Sequence, residues 1–257
     1  MNPLIQLKKA TPVFLVAFGL ACFGLSPSMQ AVSPAPDGGY PGHNTAEGQS
    51  ALLSLTSGTY NTAVGWSSLE RVTTGVRDTA TGAGTLLFNT ADDNTATGVG
   101  ALFSNTTGTQ NTANGGFVLF SNTTGGQNTA SGFEVLFSNT TGSGNTANGY
   151  LALNSNTTGN LNTAIGDEAL QGDTTGGGNT AVGAGALAGN DTGGGNVATG
   201  TQALQINISG LYNTAVGNGA LLNCTGGANT ALGAGAGNGS LAPIMLFVSV
   251  RTSQART

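Results

Sequence analysis

From residue 44 to residue 239 the chain cycles through one pattern of small apolar, large apolar and neutral polar positions. Aligned on the triplet Asn-Thr-Ala, copies begin at Asn44, Asn61, Asp78, Asn94, Asn111, Asn128, Asn145, Asn162, Asn179, Asn196, Asn213 and Asn229. They are 17 residues apart, except for 16 from Asp78 to Asn94 and from Asn213 to Asn229. The consensus is N-T-A-x-G-x-x-A-L-x-x-N-T-T-G-x-x. Position 3 is Ala and position 5 is Gly in all twelve copies, and position 2 is Thr in eleven, with Val197 the exception. Position 9 is Leu in eleven of the twelve copies, from Leu52 to Leu221, with Gly237 in the last. We number the copies as coils 1 to 12.

A unit this short cannot hold a helix–turn–helix repeat, and its Gly, Asn and Thr content opposes any helix. The pattern predicts an all-β, single-chain parallel β-solenoid (β-roll) of about twelve 17-residue coils. T-A-x and A-L-x are each long enough for a short strand. Side-chain alternation would turn the Ala column (Ala113, Ala130 and their copies) and the Leu column (Leu119, Leu136 and their copies) inward. The Gly column and the N-T-T-G-x-x stretch would form the corners. Each residue then meets its own copy about 4.8 Å away, so a residue succeeds if it tolerates itself as a neighbour. Asn can ladder through its amide, Thr suits a pleated surface, and stacked charges would repel. The rod would be on the order of 55 Å long. Leu55 and Val72 replace the position-12 Asn in the first two coils, as atypical capping repeats do.

Charged residues make up only 7% of the chain, so neutral amides and hydroxyls must keep it in solution. The six basic residues, Lys8, Lys9, Arg71, Arg77, Arg251 and Arg256, are spread too thinly to displace counterions from a phosphate backbone, which excludes nucleic acid as a partner. Residues 1–31 read as a cleavable export signal: Lys8 and Lys9, the apolar run TPVFLVAFGLACFGL, then small residues with Ala31 or Ser28 as the last residue removed. An uncleaved anchor is the rival reading, though the run is short for a span of about 20 residues. Loss of the signal leaves Cys224, in NCTG, standing for a Thr of the NTTG segment, and leaves no transmembrane span. Residues 32–43 form a linker. The repeat domain is 44–239, and 240–257 is an off-register tail with two readings, a capping strand made by IMLFVSV or the product of a reading-frame slip near Gly239.

No arrangement for catalysis, cofactor binding or metal binding stands out. His43, the only histidine, precedes the first coil, and the adjacent carboxylates Asp92/Asp93 and Asp167/Glu168 read as solvated turns. The N-T-T sequons at 105, 122, 139 and 156 coincide with the repeat corner. Two features could bind something. The Thr column at position 2 (Thr62, Thr79, Thr95, Thr112, Thr129, Thr146, Thr163, Thr180), with further Thr at positions 13 and 14, is either ladder-compatible packing or a regular binding ladder for ice or glycan. An apolar stripe at position 10 (Leu87, Phe103, Phe120, Phe137), with Phe117, Phe133, Tyr150 and Leu151 nearby in sequence, is either an interface or tucked core.

The NTAVG, NTAIG and NTALG units beginning at Asn61, Asn162 and Asn229 resemble the head repeats of YadA-like trimeric autotransporter adhesins. They are also similar to the NTA-x-G…NTTG repeats of bacterial tail-fibre-like surface proteins. The resemblance covers residues 44–239 and implies a left-handed parallel β-roll, a trimer of side-by-side chains, and a non-enzymatic adhesive or structural role. It further implies a secreted or bacterial cell-surface location and contact with a host or matrix surface. The repeat here is longer than in the adhesin heads. No coiled-coil stalk, anchoring barrel or chaperone domain follows, so a truncated member is expected.

Overall fold

The computed structural model describes residues 40–238 and 247–248. The export-signal reading and most of the tail lie outside these residues. The fold is a parallel β-solenoid, with one strand per coil from Thr45–Glu47 in coil 1 to Thr230–Leu232 in coil 12. Strands follow one another in chain order in a single sheet, in strict register: Thr45 pairs with Thr62, Ala46 with Ala63, and so on through Ala215 with Ala231. Phe247–Val248 adds a final parallel strand, Ala231 pairing with Phe247. Most strands are three residues long; Thr129–Phe133 and Thr146–Tyr150 run to five.

The expected second strand at A-L-x does not form. Every Leu of the position-9 column has a positive φ, between +49° and +53°, and the residues at position 7 are positive too, between +52° and +66°. The Gly at position 5 sits near +130°. The backbone therefore changes hand at alternate residues, which no strand allows. Inter-coil bonding continues regardless. In coil 5 the Gly115 and Phe117 N–H groups donate to Thr97 and Val99 of the coil before, while those of Leu119 and Ser121 donate to Val135 and Phe137 of the coil after, all at 2.7–3.0 Å. A left-handed Leu costs roughly 1–2 kcal/mol. Full burial of the same side chain returns about 1.5–3 kcal/mol, so the column is tolerated. Position 5 admits only Gly: a Cβ at Gly65 would lie 2.6 Å from the carbonyl oxygen of Gly82, in a φ region closed to side chains.

The interior is half hydrocarbon and half amide. Ala at position 3, a small residue at position 8 (Ser68, Thr85, Ala101, Val118 and their copies) and Leu at position 9 form the apolar wall, and Asn at positions 1 and 12 faces them, fully buried. Each amide column is hydrogen-bonded along the axis. At position 1, Asn111 Oδ1 accepts the Asn128 N–H at 3.0 Å; at position 12, Asn122 Nδ2 donates to Asn105 Oδ1 at 2.7 Å. Both amides of a coil also donate to one carbonyl, that of the position-15 Gly, as Asn111 and Asn122 do to Gly125 at 2.9 Å. Buried polar groups are costly unless paired, and here the repetition supplies the partner. The N-T-T-G segment is thus a corner whose Asn points inward. Its apolar substitutes sit at the two ends, Leu55 and Val72 in coils 1 and 2 and Cys224 in coil 11. Cys224 therefore stands for an Asn rather than a Thr; it is buried, and Asn229 Nδ2 lies 3.2 Å from its Sγ.

Both short coils omit a residue at this same corner. Asn89 Nδ2 reaches the Ala91 carbonyl two residues on, where intact coils span three, and Asn213 reaches Gly226 over 13 residues instead of 14. Across the first omission Asp92 Oδ1 accepts the Val76 N–H, and Asp93 pairs with Arg77 at 2.5 and 2.8 Å. These two carboxylates bind the corner to the coil before it.

Candidate functional site, an aromatic stripe and a threonine face

The position-10 side chain follows a buried Leu and is turned to the outside, because the lumen is already filled by Leu, Ala and Asn. Leu87, Phe103, Phe120 and Phe137 are all half-buried on the outer surface. Phe103 and Phe120 stack at 5.0 Å with planes 10° apart, and Phe120 and Phe137 at 5.3 Å and 4°. The cluster is wider than the sequence stripe. Phe88 meets Phe103 edge-on and carries the Arg71 guanidinium 4.9 Å above its ring. Phe117 meets both Phe120 and Phe133 edge-on, and Phe133 stacks on Tyr150 at 6.1 Å. Phe133 and Tyr150 are 43% and 51% exposed, so the cluster ends in open rings.

Local sequence makes room for these rings. Gly84 and Gly100 occupy position 7 in coils 3 and 4, and a Cβ at Gly100 would press within 3.3 Å of Phe120 and 3.2 Å of Phe117. Phe88 and Arg71 were not legible as members, because position 11 carries no apolar column. The pairing of Gly at position 7 with Phe in the next coil is the signal that marks the cluster. Since the Phe103, Phe120 and Phe137 planes stack face to face along the coil axis, they turn their edges outward. The stacked part of the stripe is therefore suited to packing against other apolar or aromatic side chains.

The position-2 threonines form the second surface. Thr62, Thr79, Thr95, Thr112, Thr129, Thr146, Thr163 and Thr180 pair in unbroken register on the outer face of the sheet. Thr95, Thr112, Thr129 and Thr146 are exposed and the other four half-buried. Their companions at position 4 vary: Val64, Thr81, Thr97, Asn114, Ser131, Asn148, Ile165 and Val182.

The chain matches no family model, no curated protein and no solved structure.

The Thr columns differ in what their hydroxyls do. At position 13 the hydroxyl donates to the carbonyl of its own copy in the next coil: Thr106 to Thr123 at 2.8 Å, Thr123 to Thr140 at 2.9 Å, Thr140 to Thr157 at 3.0 Å. Those residues are structural. At position 2, among the described residues, no hydroxyl is engaged in this way, so that column presents its donors and acceptors to whatever lies outside. The sequons are closed by the fold. Asn105, Asn122, Asn139 and Asn156 are fully buried rungs of the position-12 ladder, where no glycosyl group could be attached after folding.

Proposed function

We propose that this protein is an exported, non-enzymatic β-solenoid that acts as an adhesin-like or fibre-like structural element at the cell surface or outside the cell. In this reading the coils are a rigid spacer, and the aromatic stripe packs copies of the chain side by side, as the resemblance to trimeric adhesin heads implies. The observation that carries it is the continuous aromatic cluster left outside a lumen that is already full, on a perimeter with almost no charge to hold copies apart. Each ring brings about 150–250 Å² of surface. If the third or so of that still open is covered on six rings, the gain is on the order of 8–12 kcal/mol per chain at 25 cal/mol per Å². An association cost of about 4–15 kcal/mol is of the same order, so one charge in the stripe decides the outcome.

The test is the solution mass of residues 32–257 with and without Phe120→Asp. An oligomer, a trimer by resemblance, that falls to monomer in the variant supports the reading; a wild-type monomer, or an assembly untouched by the substitution, removes it.

A second reading rests on the unengaged position-2 hydroxyls, whose repeat along the sheet suits an ordered ligand such as ice or a glycan. A folded protein showing neither thermal hysteresis nor binding on a glycan array would remove that reading.

A further inference from the structure

The position-12 ladder has a direction. Asn122, Asn139 and Asn156 each donate Nδ2 to the Oδ1 of the preceding rung, at 2.7, 2.6 and 2.7 Å, and each also donates to the position-15 Gly carbonyl of its own coil. Reversing any one amide would set its oxygen against two acceptors, so the Gly carbonyls hold the sense of the whole column. The rung after Asn156 should therefore donate to Asn156 Oδ1. That rung is Asp173, an aspartate in a column of asparagines, fully buried. Its Oδ1 plays the usual acceptor part, taking Asn190 Nδ2 at 2.6 Å. Its Oδ2 occupies the place of the amide nitrogen, with only a 3.4 Å approach from Asn162 Nδ2. Asn156 Oδ1 is the one buried side-chain polar atom without a hydrogen-bond partner among the described residues.

We propose that Asp173 is a proton-bearing rung: as a neutral acid its Oδ2–H donates to Asn156 Oδ1 and closes the ladder, and its ionisation opens the ladder between coils 7 and 8. A neutral carboxyl is the only form of this side chain that can donate. The surroundings favour it. Burial pushes the Asp173 carboxyl up to about 7, hydrogen bonds from Asn190 and the Gly176 N–H oppose the rise, and the neighbouring Asp191 adds to it. Among the described residues, Asp191, turned aside to accept the Thr174 hydroxyl, is the one charged side chain whose field reaches the site. The arginines among the described residues, Arg71 and Arg77, belong to coil 2.

The sign follows from the raised folded-state value. Unfolded aspartate titrates near about 4, so folding takes up a proton between there and about pH 7. The stabilisation is complete below the unfolded value, declines as pH rises, and is lost once pH passes the folded value. The solenoid is thus most tightly closed in acid and loosens at coils 7–9 in alkali.

Asp78 is an informative contrast. It replaces Asn in the position-1 column, and burial pushes it to about 7 as well. Yet both of its oxygens already accept, from the Asn94 N–H and from Asn89 Nδ2, each at 2.9 Å, so it leaves no orphaned partner.

The test is Asp173→Asn in the full chain, which supplies the missing donor at every pH, with Asp78→Asn as control. Amide exchange in coils 7–9 is followed from about pH 5 to about pH 8.5, after correction for intrinsic exchange. In the wild type the opening equilibrium should rise by up to about tenfold per pH unit up to about pH 7, one proton being released per opening, and level off above it. In Asp173→Asn that rise should vanish in coils 7–9, with protection at alkaline pH above wild type; Asp78→Asn should leave coils 7–9 unchanged. In the infrared difference spectrum between wild type and Asp173→Asn near about pH 5.5, a carboxylic-acid carbonyl stretch belonging to Asp173 reads the proton directly, because the Asp78 carboxyl is common to both proteins. Asp173→Asn no better protected than wild type in alkali, or the absence of that band, overturns the proposal.

Discussion

Replacing one central amide of the position-12 column tests whether the buried ladder holds the coils together or merely fills space. Asn122→Val removes three hydrogen bonds at once: Nδ2 to Asn105 Oδ1 at 2.7 Å, Nδ2 to the Gly125 carbonyl at 2.9 Å, and Oδ1 from Asn139 Nδ2 at 2.6 Å. Their loss is unequal. Gly125 keeps Asn111 Nδ2, and Asn139 keeps the Gly142 carbonyl, so those two bonds should count about 0.5–1.5 kcal/mol each. Asn105 Oδ1 keeps nothing and should cost about 1–3 kcal/mol as a buried orphan. Burial of the valine methyls returns part of the sum, leaving a loss of about 3 kcal/mol. For a domain of this size each kcal/mol moves Tm by about 2–4 °C, so melting should fall by about 6–12 °C, followed by circular dichroism. Val72 occupies the same position at the end of the ladder, where Asn89 is already satisfied by Asp78, Ala91 and Asn105. Val72→Asn should therefore bring no stabilisation. An Asn122→Val protein melting within about 2 °C of wild type would refute the reasoning and assign the stability to the backbone ladders alone.

The left-handed leucines predict an inverted ranking of small residues. Leu119→Ala should cost about 2–5 kcal/mol in denaturant unfolding, and Leu119→Gly should cost no more, because φ is +53° there and glycine relieves the strain that alanine keeps. In a regular strand or helix glycine would be the worse by about 1 kcal/mol, and that ordering would contradict the backbone described. The two Thr columns should separate function from stability. Thr106→Val loses the hydroxyl bond to the Thr123 carbonyl and should destabilise by about 1 kcal/mol, while Thr112→Val on the open face should leave melting unchanged. Equal effects at the two sites would remove the distinction between a structural and a presented column.

Much of the architecture was legible in the residues. The 17-residue period, the inward Ala and Leu columns, the need for Gly at position 5 and the suitability of Asn for stacking all follow from a residue meeting its own copy in the next coil. The apolar stripe and the Thr column were visible as periodic positions too. What escaped was everything that depends on the path within one coil. A-L-x has the composition of a strand, yet folds as a left-handed corner. Cys224 reads as a Thr substitute, yet fills an Asn socket, because the omitted residue in coil 11 lies just beyond it. Phe88 and Arg71 join the aromatic cluster through contacts between different repeat positions, which a column-by-column reading does not see.

The sequence by itself thus determined what stacks on what along the axis: one coil per repeat, Ala on Ala, Leu on Leu, amide on amide. Only the tertiary structure decided what lies across the coil and which way each amide and ring is turned. It put two amide columns inside, ring edges outside, and an aspartate where a donor is required. The physical reason is that axial contacts are copied by repetition and so appear in the period. The conformation inside a coil is settled instead by burial outweighing local backbone strain, and no single position records that balance.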